Sequence, residues 1–151
     1  MYNEDPELFL KELDEIGKLR SNSCIRPKED VTGITDLKRY YSQLHLLQNR
    51  FKLEGGDKGP FNFSWSDPYA GSMYTLPDFD YELASVLYNL GSLHSILGAS
   101  EKRDSSESMK VACTHFQCAA WAFHTLPDRY PKVYTPDISP DLMAVMSQIC
   151  Y

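Results

Sequence analysis

The sequence predicts a mostly α-helical chain with one short β-strand. Three observations lead there. Apolar residues recur at three- and four-residue spacing along most of the chain, helix-starting residues punctuate that pattern, and strict alternation appears only around Phe61, Phe63 and Trp65. At 151 residues with 42% hydrophobic and 24% charged side chains, the chain is long enough for one domain with a buried core and too apolar for a disordered segment. Its longest uninterrupted apolar run, Cys118 to Phe123, is far below the ~18 residues that a membrane-crossing helix needs.

Charge and termini narrow the classes further. The net charge of −6 opposes a nucleic-acid groove, which would be basic. The N-terminal Met1-Tyr2-Asn3-Glu4-Asp5 is acidic where a secretory or mitochondrial address would be apolar or basic, so cytoplasmic residence is expected. Cys24, Cys113, Cys118 and Cys150 are too few for a disulfide scaffold, and two fall inside a helical apolar pattern; reduced, buried thiols are expected.

Element by element, Asp5 caps a first helix with Pro6 in its first turn and Glu7 behind it. Phe9, Leu13 and Ile16, flanked by Leu8 and Leu19, form its stripe, and it runs to about Arg20. A polar linker containing Pro27 leads to a second helix, roughly 30–49, whose stripe is Leu37, Tyr40, Tyr41, Leu44 and Leu47. The Gly- and Pro-rich stretch 54–60 breaks the chain before the strand. A lone strand must pair with something, and no second strand is evident, a first indication of an incomplete domain. Asp78 caps a long helix to about Gly98, on which Tyr81, Ala84, Leu87, Tyr88, Gly91 and Ser95 cluster. Asp104 and Glu107 resemble a capping box for a helix that Pro127 should stop. Ser139-Pro140-Asp141 starts a last helix with Leu142, Val145, Met146 and Ile149 as its apolar face. That face has nothing left to cover it, a second indication of an incomplete domain.

Catalytic arrangements are not found. There is no Gly-rich phosphate loop, G-x-S-x-G elbow or H-E-x-x-H helix, and no cysteine is followed six positions later by the Arg that a tyrosine phosphatase loop needs. Cys113, His115, Cys118 and His124 invite a metal reading, but His115 and Cys118 lie about 60° apart on the helix while Cys113 and His124 point elsewhere and are about 16 Å apart along the axis, and two ligands do not make a zinc site. Asp78 and Asp80 belong to a helix start, where carboxylates favour the dipole. No metal, cofactor or catalytic residue is predicted.

Packing chemistry is more informative. Leu90-Gly91 on one helix and Ala112, Phe116 and Ala119 on the next follow the small-large-small logic of a tetratricopeptide-like helical hairpin. The connection 99–104 is too long and the usual Trp is missing, so this is hairpin packing rather than a true repeat. On the reverse of the second helix, taking Lys110 as zero, Thr114, Gln117 and Trp121 fall at about 40°, −20° and 20°. A large aromatic among polar neighbours is either covered within the complete protein or offered to a partner.

These residues carry a resemblance. Leu87-Tyr88-Asn89-Leu90-Gly91-Ser92-Leu93-His94-Ser95, the run Met109 to Ala120, and Asp137-Ile138-Ser139-Pro140-Asp141 resemble the Bro-one domain. Cys113-Thr114-His115-Phe116-Gln117-Cys118-Ala119-Ala120 is nearer its tyrosine-phosphatase branch than its ALIX-type branch. The resemblance implies a tetratricopeptide-like helical core with a small sheet, of which residues 1–151 would be the N-terminal part, with the strands that pair with Phe61 to Ser66 expected ahead of it and the helices completing the core after it. It implies a noncatalytic scaffold that binds the C-terminal amphipathic helix of an ESCRT-III subunit in endosomal sorting and multivesicular body formation, with other endosomal adaptors as further partners. It implies cytoplasmic protein recruited to endosomes, with peripheral membrane association at most. By the same resemblance the outward face of the 105–126 helix is the wall turned to partners. Lys110 would meet acidic residues of the ligand, Thr114 and Gln117 would hydrogen-bond, and Trp121 would pack. Trp121 departs from the phosphatase branch, for which a small residue is expected. The alternative is a purely architectural segment of a multidomain protein whose contacts are made elsewhere.

Overall fold

The computed structural model describes residues 10–25, 27–50 and 61–151. Helix α1 (Leu10–Arg20) continues into a π-turn, Ser21–Ile25, where the Ser23 hydroxyl donates to the Leu19 carbonyl at 2.6 Å. The expected start at Asp5 to Phe9 and the Leu13 side chain lie outside the described residues, as does the 54–60 break. Helix α2 (Val31–Arg50) begins where Asp30 Oδ1 accepts the Gly33 amide at 3.0 Å, a side-chain cap on an otherwise orphaned donor. It buries Ile34, Leu37, Tyr40 and Leu44, while Tyr41 and Leu47 are half-buried against the same core.

Strand β1 (Phe63–Ser66) does not wait for a preceding partner. It pairs antiparallel with β2 (Met73–Leu76), Phe63 opposite Leu76 and Ser66 opposite Met73. The turn between them is built by Asp67, whose Oδ1 accepts the amides of Tyr69 at 2.8 Å and Ala70 at 3.0 Å, and by Gly71 at φ +67°, a conformation favourable to glycine. The expectation of an upstream pairing strand is therefore corrected. Phe63 is buried against the Phe79 ring, 5.4 Å between centroids, which fixes the hairpin on the next helix.

Helices α3 (Phe79–Ser100), α4 (Ser106–Arg129) and α5 (Pro140–Cys150) stack in sequence order, α4 packing on both neighbours. Asp78 caps α3 as expected, its side chain accepting from the Asp80 amide. The α4 cap is Ser105 rather than Asp104: Ser105 Oγ accepts from the Ser108 amide and Ser108 Oγ accepts from the Ser105 amide, both at 3.1 Å, so Ser108 takes the role expected of Glu107. Nor does Pro127 stop α4. It sits in the last turn, where the helix needs few further bonds, and the Tyr130 amide closes the end on the Leu126 carbonyl.

The last helix is rotated from the expected face. Met143, Ser147 and Cys150 are buried, Leu142 and Met146 are half-buried, and Val145 and Ile149 are exposed at 54% and 74%. Contact with α4 decides this, because Ser147 Oγ donates to the Ala120 carbonyl at 3.2 Å and turns its own side inward. The four cysteines are free, but only Cys150 is buried; Cys24 and Cys118 are half-buried and Cys113 is exposed, correcting the expectation of four buried thiols.

A polar hub ties the N-terminal elements to α3. Glu82 is fully buried, and four donors surround its carboxylate. Arg20 Nε at 2.7 Å and Tyr40 Oη at 2.7 Å reach Oε1, while Trp65 Nε1 at 2.5 Å and Arg20 Nη2 at 3.3 Å reach Oε2. Charge and lone pairs are thus both matched, the condition for burying a carboxylate. Burial opposes the Arg20 charge, and the hydrogen bond and charge of Glu82 outweigh it, so the guanidinium is held more firmly protonated than usual. Nearby, burial and then the Glu82 charge push the Cys24 thiol up to about 12, which leaves it inert at neutral pH.

Candidate partner-binding face

Small residues bring α3 and α4 together. A Cβ at Gly91 would stand 2.9 Å from Phe123 Cε1 and 3.2 Å from the Ala122 Cβ, and one at Gly98 would stand 3.2 Å from the Ala112 carbonyl and the Phe116 ring. Phe116 thus sits over Gly98 and Phe123 over Gly91, so the hairpin has two ring-on-glycine contacts where the sequence reading had singled out Phe116. Ala112, Ala119, Ala120, Ala122 and Phe123 are buried. Arg103, at φ +55°, seals the open end: its Nη2 donates to the Gly98 carbonyl at 3.3 Å and its guanidinium stands 5.7 Å over the Phe116 ring.

That packing fixes which side of α4 faces outward. Lys110, Thr114, Gln117 and Trp121 are all exposed, Trp121 at 54%, on the stripe opposite the alanines. The Lys110 ammonium stands 3.9 Å from the Glu107 carboxylate with both side chains in solvent, a weak and easily exchanged pair. Thr114 Oγ1 donates to the Lys110 carbonyl at 2.8 Å, which leaves its lone pairs to accept from a ligand. Trp121 offers a broad ring whose exposure costs hydration free energy that a docked apolar side chain would recover.

Other sequence candidates are occupied differently. His115 lies off the outward stripe and meets His94, Nδ1 to Nδ1 at 3.0 Å, with one ring donating and the other accepting. Burial, and then the neighbouring His115, lower the His94 pKa from 6.5 to about 4. Among the described residues no three His, Cys, Asp or Glu side chains assemble a metal-holding group. Asp78 Oδ2 pairs with Lys132 at 2.9 Å and Asp80 Oδ1 accepts from Gln48 at 2.6 Å, so both carboxylates serve as structural anchors. The sequence reading missed the Glu82 hub and the outward exposure of Val145 and Ile149. The hub's trace was one acid inside the apolar run Tyr81 to Leu87; that of α5 was which of two apolar faces met α4.

The mostly helical fold with its small two-stranded sheet coincides with that of a known domain. The BRO1-like domain family model matches residues 1–151. The chain belongs to that family. Among its relatives, human tyrosine-protein phosphatase non-receptor type 23 is 42% identical over 144 residues, covering 95% of this chain and 9% of that protein. Apoptosis-linked gene 2-interacting protein X 1 of Caenorhabditis elegans is 33% identical, covering 91% of the chain and 17% of that protein. A solved structure described as an ALIX BRO1 CHMP4C complex superposes with a TM-score of 0.83 at 28% identity, covering 99% of this chain and 45% of that one. This BRO1 segment therefore spans less than half of the chains it matches. BRO1 domains are noncatalytic protein-binding domains, and among the described residues no helix is long and apolar enough to cross a membrane.

Proposed function

We propose that this BRO1 segment supplies one wall of a helix-binding groove and that the complete domain receives there the C-terminal amphipathic helix of an ESCRT-III subunit, serving endosomal sorting and multivesicular body formation. The observation that carries the reading is the rigid presentation of Lys110, Thr114, Gln117 and Trp121 on one outward stripe of α4, in a fold similar to the ALIX BRO1 of the CHMP4C complex. An amphipathic helix needs an apolar seat flanked by polar groups that set its register. Trp121 supplies apolar area, Lys110 a charge for acidic flanking residues, and Thr114 and Gln117 hydrogen-bonding groups. Phosphatase chemistry in a longer parent protein would reside outside these residues, and endosomal recruitment would follow from the partner.

Titration of an ESCRT-III tail peptide into the complete domain tests this. Lys110→Glu and Thr114→Lys should each weaken binding about tenfold, equivalent to about 1.4 kcal/mol, while melting is unchanged because both positions are exposed. Equal affinity for wild type and both variants removes these residues from the site.

A further inference from the structure

The α4 stripe has charged ends as well as a polar middle. At about 100° per residue, Asp128 returns to the azimuth of Lys110, about 27 Å farther along the axis, and Glu107 lies about 60° to one side at the helix start. All three are exposed. Trp121 stands between them, eleven residues beyond Lys110 and seven before Asp128. Glu107 suits its place, because an acid in the first turn faces the positive end of the helix dipole. Asp128 does not. It is the next-to-last residue of α4, where the dipole is negative and a carboxylate is disfavoured, so helix stability does not account for it. The next cations along the chain are engaged elsewhere: the Arg129 guanidinium stands 5.9 Å over the Tyr41 ring, and the Lys132 ammonium is 2.9 Å from the Asp78 carboxylate. At the other end Lys110 is paired loosely with Glu107, at 3.9 Å between two solvent-exposed groups, and a competing carboxylate can displace that partner.

Resting on the groove reading, we infer that the partner helix carries a fixed charge order: an acidic residue over Lys110, an apolar residue over Trp121 and a basic residue over Asp128. A helix lying along α4 shares its rise per residue, so the acid stands eleven residues from the apolar anchor and the base seven residues from it on the other side. The two intervals differ, so turning the partner end for end does not exchange them. Charge order, rather than net charge, is then what the wall selects. Glu107 works against the partner's acid twice, by occupying Lys110 and by repelling the incoming carboxylate.

The test is calorimetric titration of the complete domain with two designed helical peptides of identical composition, the ESCRT-III tail peptide being titrated alongside. In the first, a Glu lies eleven residues before a Leu anchor and a Lys seven after it; in the second, Glu and Lys are exchanged. The first should bind about tenfold more tightly, because the second replaces two exposed ion pairs with two like-charge contacts. Added salt should narrow the difference. Asp128→Lys should bring the two peptides to similar affinity, since each then makes one attractive and one repulsive contact, and Glu107→Gln should tighten the first peptide about twofold. Both positions are exposed, so melting should not change. Equal affinity of the unaltered domain for the two peptides overturns the charge order, as does a difference that persists in Asp128→Lys, or failure of both peptides where the tail peptide binds. The groove itself is judged separately, by whether Lys110→Glu and Thr114→Lys weaken the tail peptide.

Discussion

The α3–α4 seam and the junction of α3 with the N-terminal elements solve the same problem by opposite means. The seam is closed by rings seated on Gly91 and Gly98 and by buried alanines, with dispersion and apolar burial as its cement. The junction is closed by one carboxylate, Glu82, saturated by Arg20, Tyr40 and Trp65. The seam tolerates no added volume, whereas the junction tolerates no lost partner. The outward α4 stripe is rigid because it stands on the seam.

Removing the carboxylate should therefore have the largest effect. Glu82→Ala leaves the Arg20 charge and two donors without an acceptor and should cost about 3 kcal/mol, read as a shift in denaturant midpoint. A loss below about 1 kcal/mol would place this junction in the ordinary range for one hydrogen bond and remove the contrast. Gly91→Ala tests the other side. Its Cβ would press on Phe123 and Ala122, and it should cost about 2 kcal/mol through overpacking, despite alanine's better helix propensity. Stabilisation by that substitution would mean that the seam is loose.

The smallest effect at neutral pH concerns the polar contact within the seam, His94 with His115. His94 is neutral in the fold down to about 4, whereas its ordinary value is 6.5. The unfolded chain thus takes up the proton first as pH falls, so stability is full above pH 6.5 and declines toward pH 4. The slope from this one proton is at most about 1.4 kcal/mol per pH unit. His94→Gln should flatten it in chemical unfolding curves across that window, with no change in slope above it.

What the sequence made legible follows the same division. Local signals sufficed for helix starts at Asp78 and Ser139, for the buried stripe of α2 and for the outward orientation of Lys110, Thr114, Gln117 and Trp121, since each depends on neighbours within two turns. Strand β2 escaped notice because apolar Met73 occupies an outward position, so its alternating burial is not mirrored by apolar–polar alternation in the sequence, although the Asp67-to-Gly71 turn and the β-favouring Tyr74-Thr75 pair were there to be read. The α5 face turned on which neighbour its small Ser147 met, and hydrophobicity alone favoured Val145 and Ile149. Glu82 and its partners were illegible, because nothing local links Arg20 to a residue 62 positions onward.

That separation also bears on how the protein is made. Tyr40 lies 42 positions before Glu82 and Trp65 lies 17 before it, so every donor of the hub leaves the ribosome ahead of the acceptor they share. Until α3 emerges, Arg20 lacks the carboxylate that it pairs with in the fold, and the helices made before α3 lack that anchor. The α3–α4 pair, built from neighbouring stretches, closes a short loop and can assemble next. A single acidic residue thereby acts as a timing mark in biosynthesis, before which the nascent chain is unfinished and after which it has a framework.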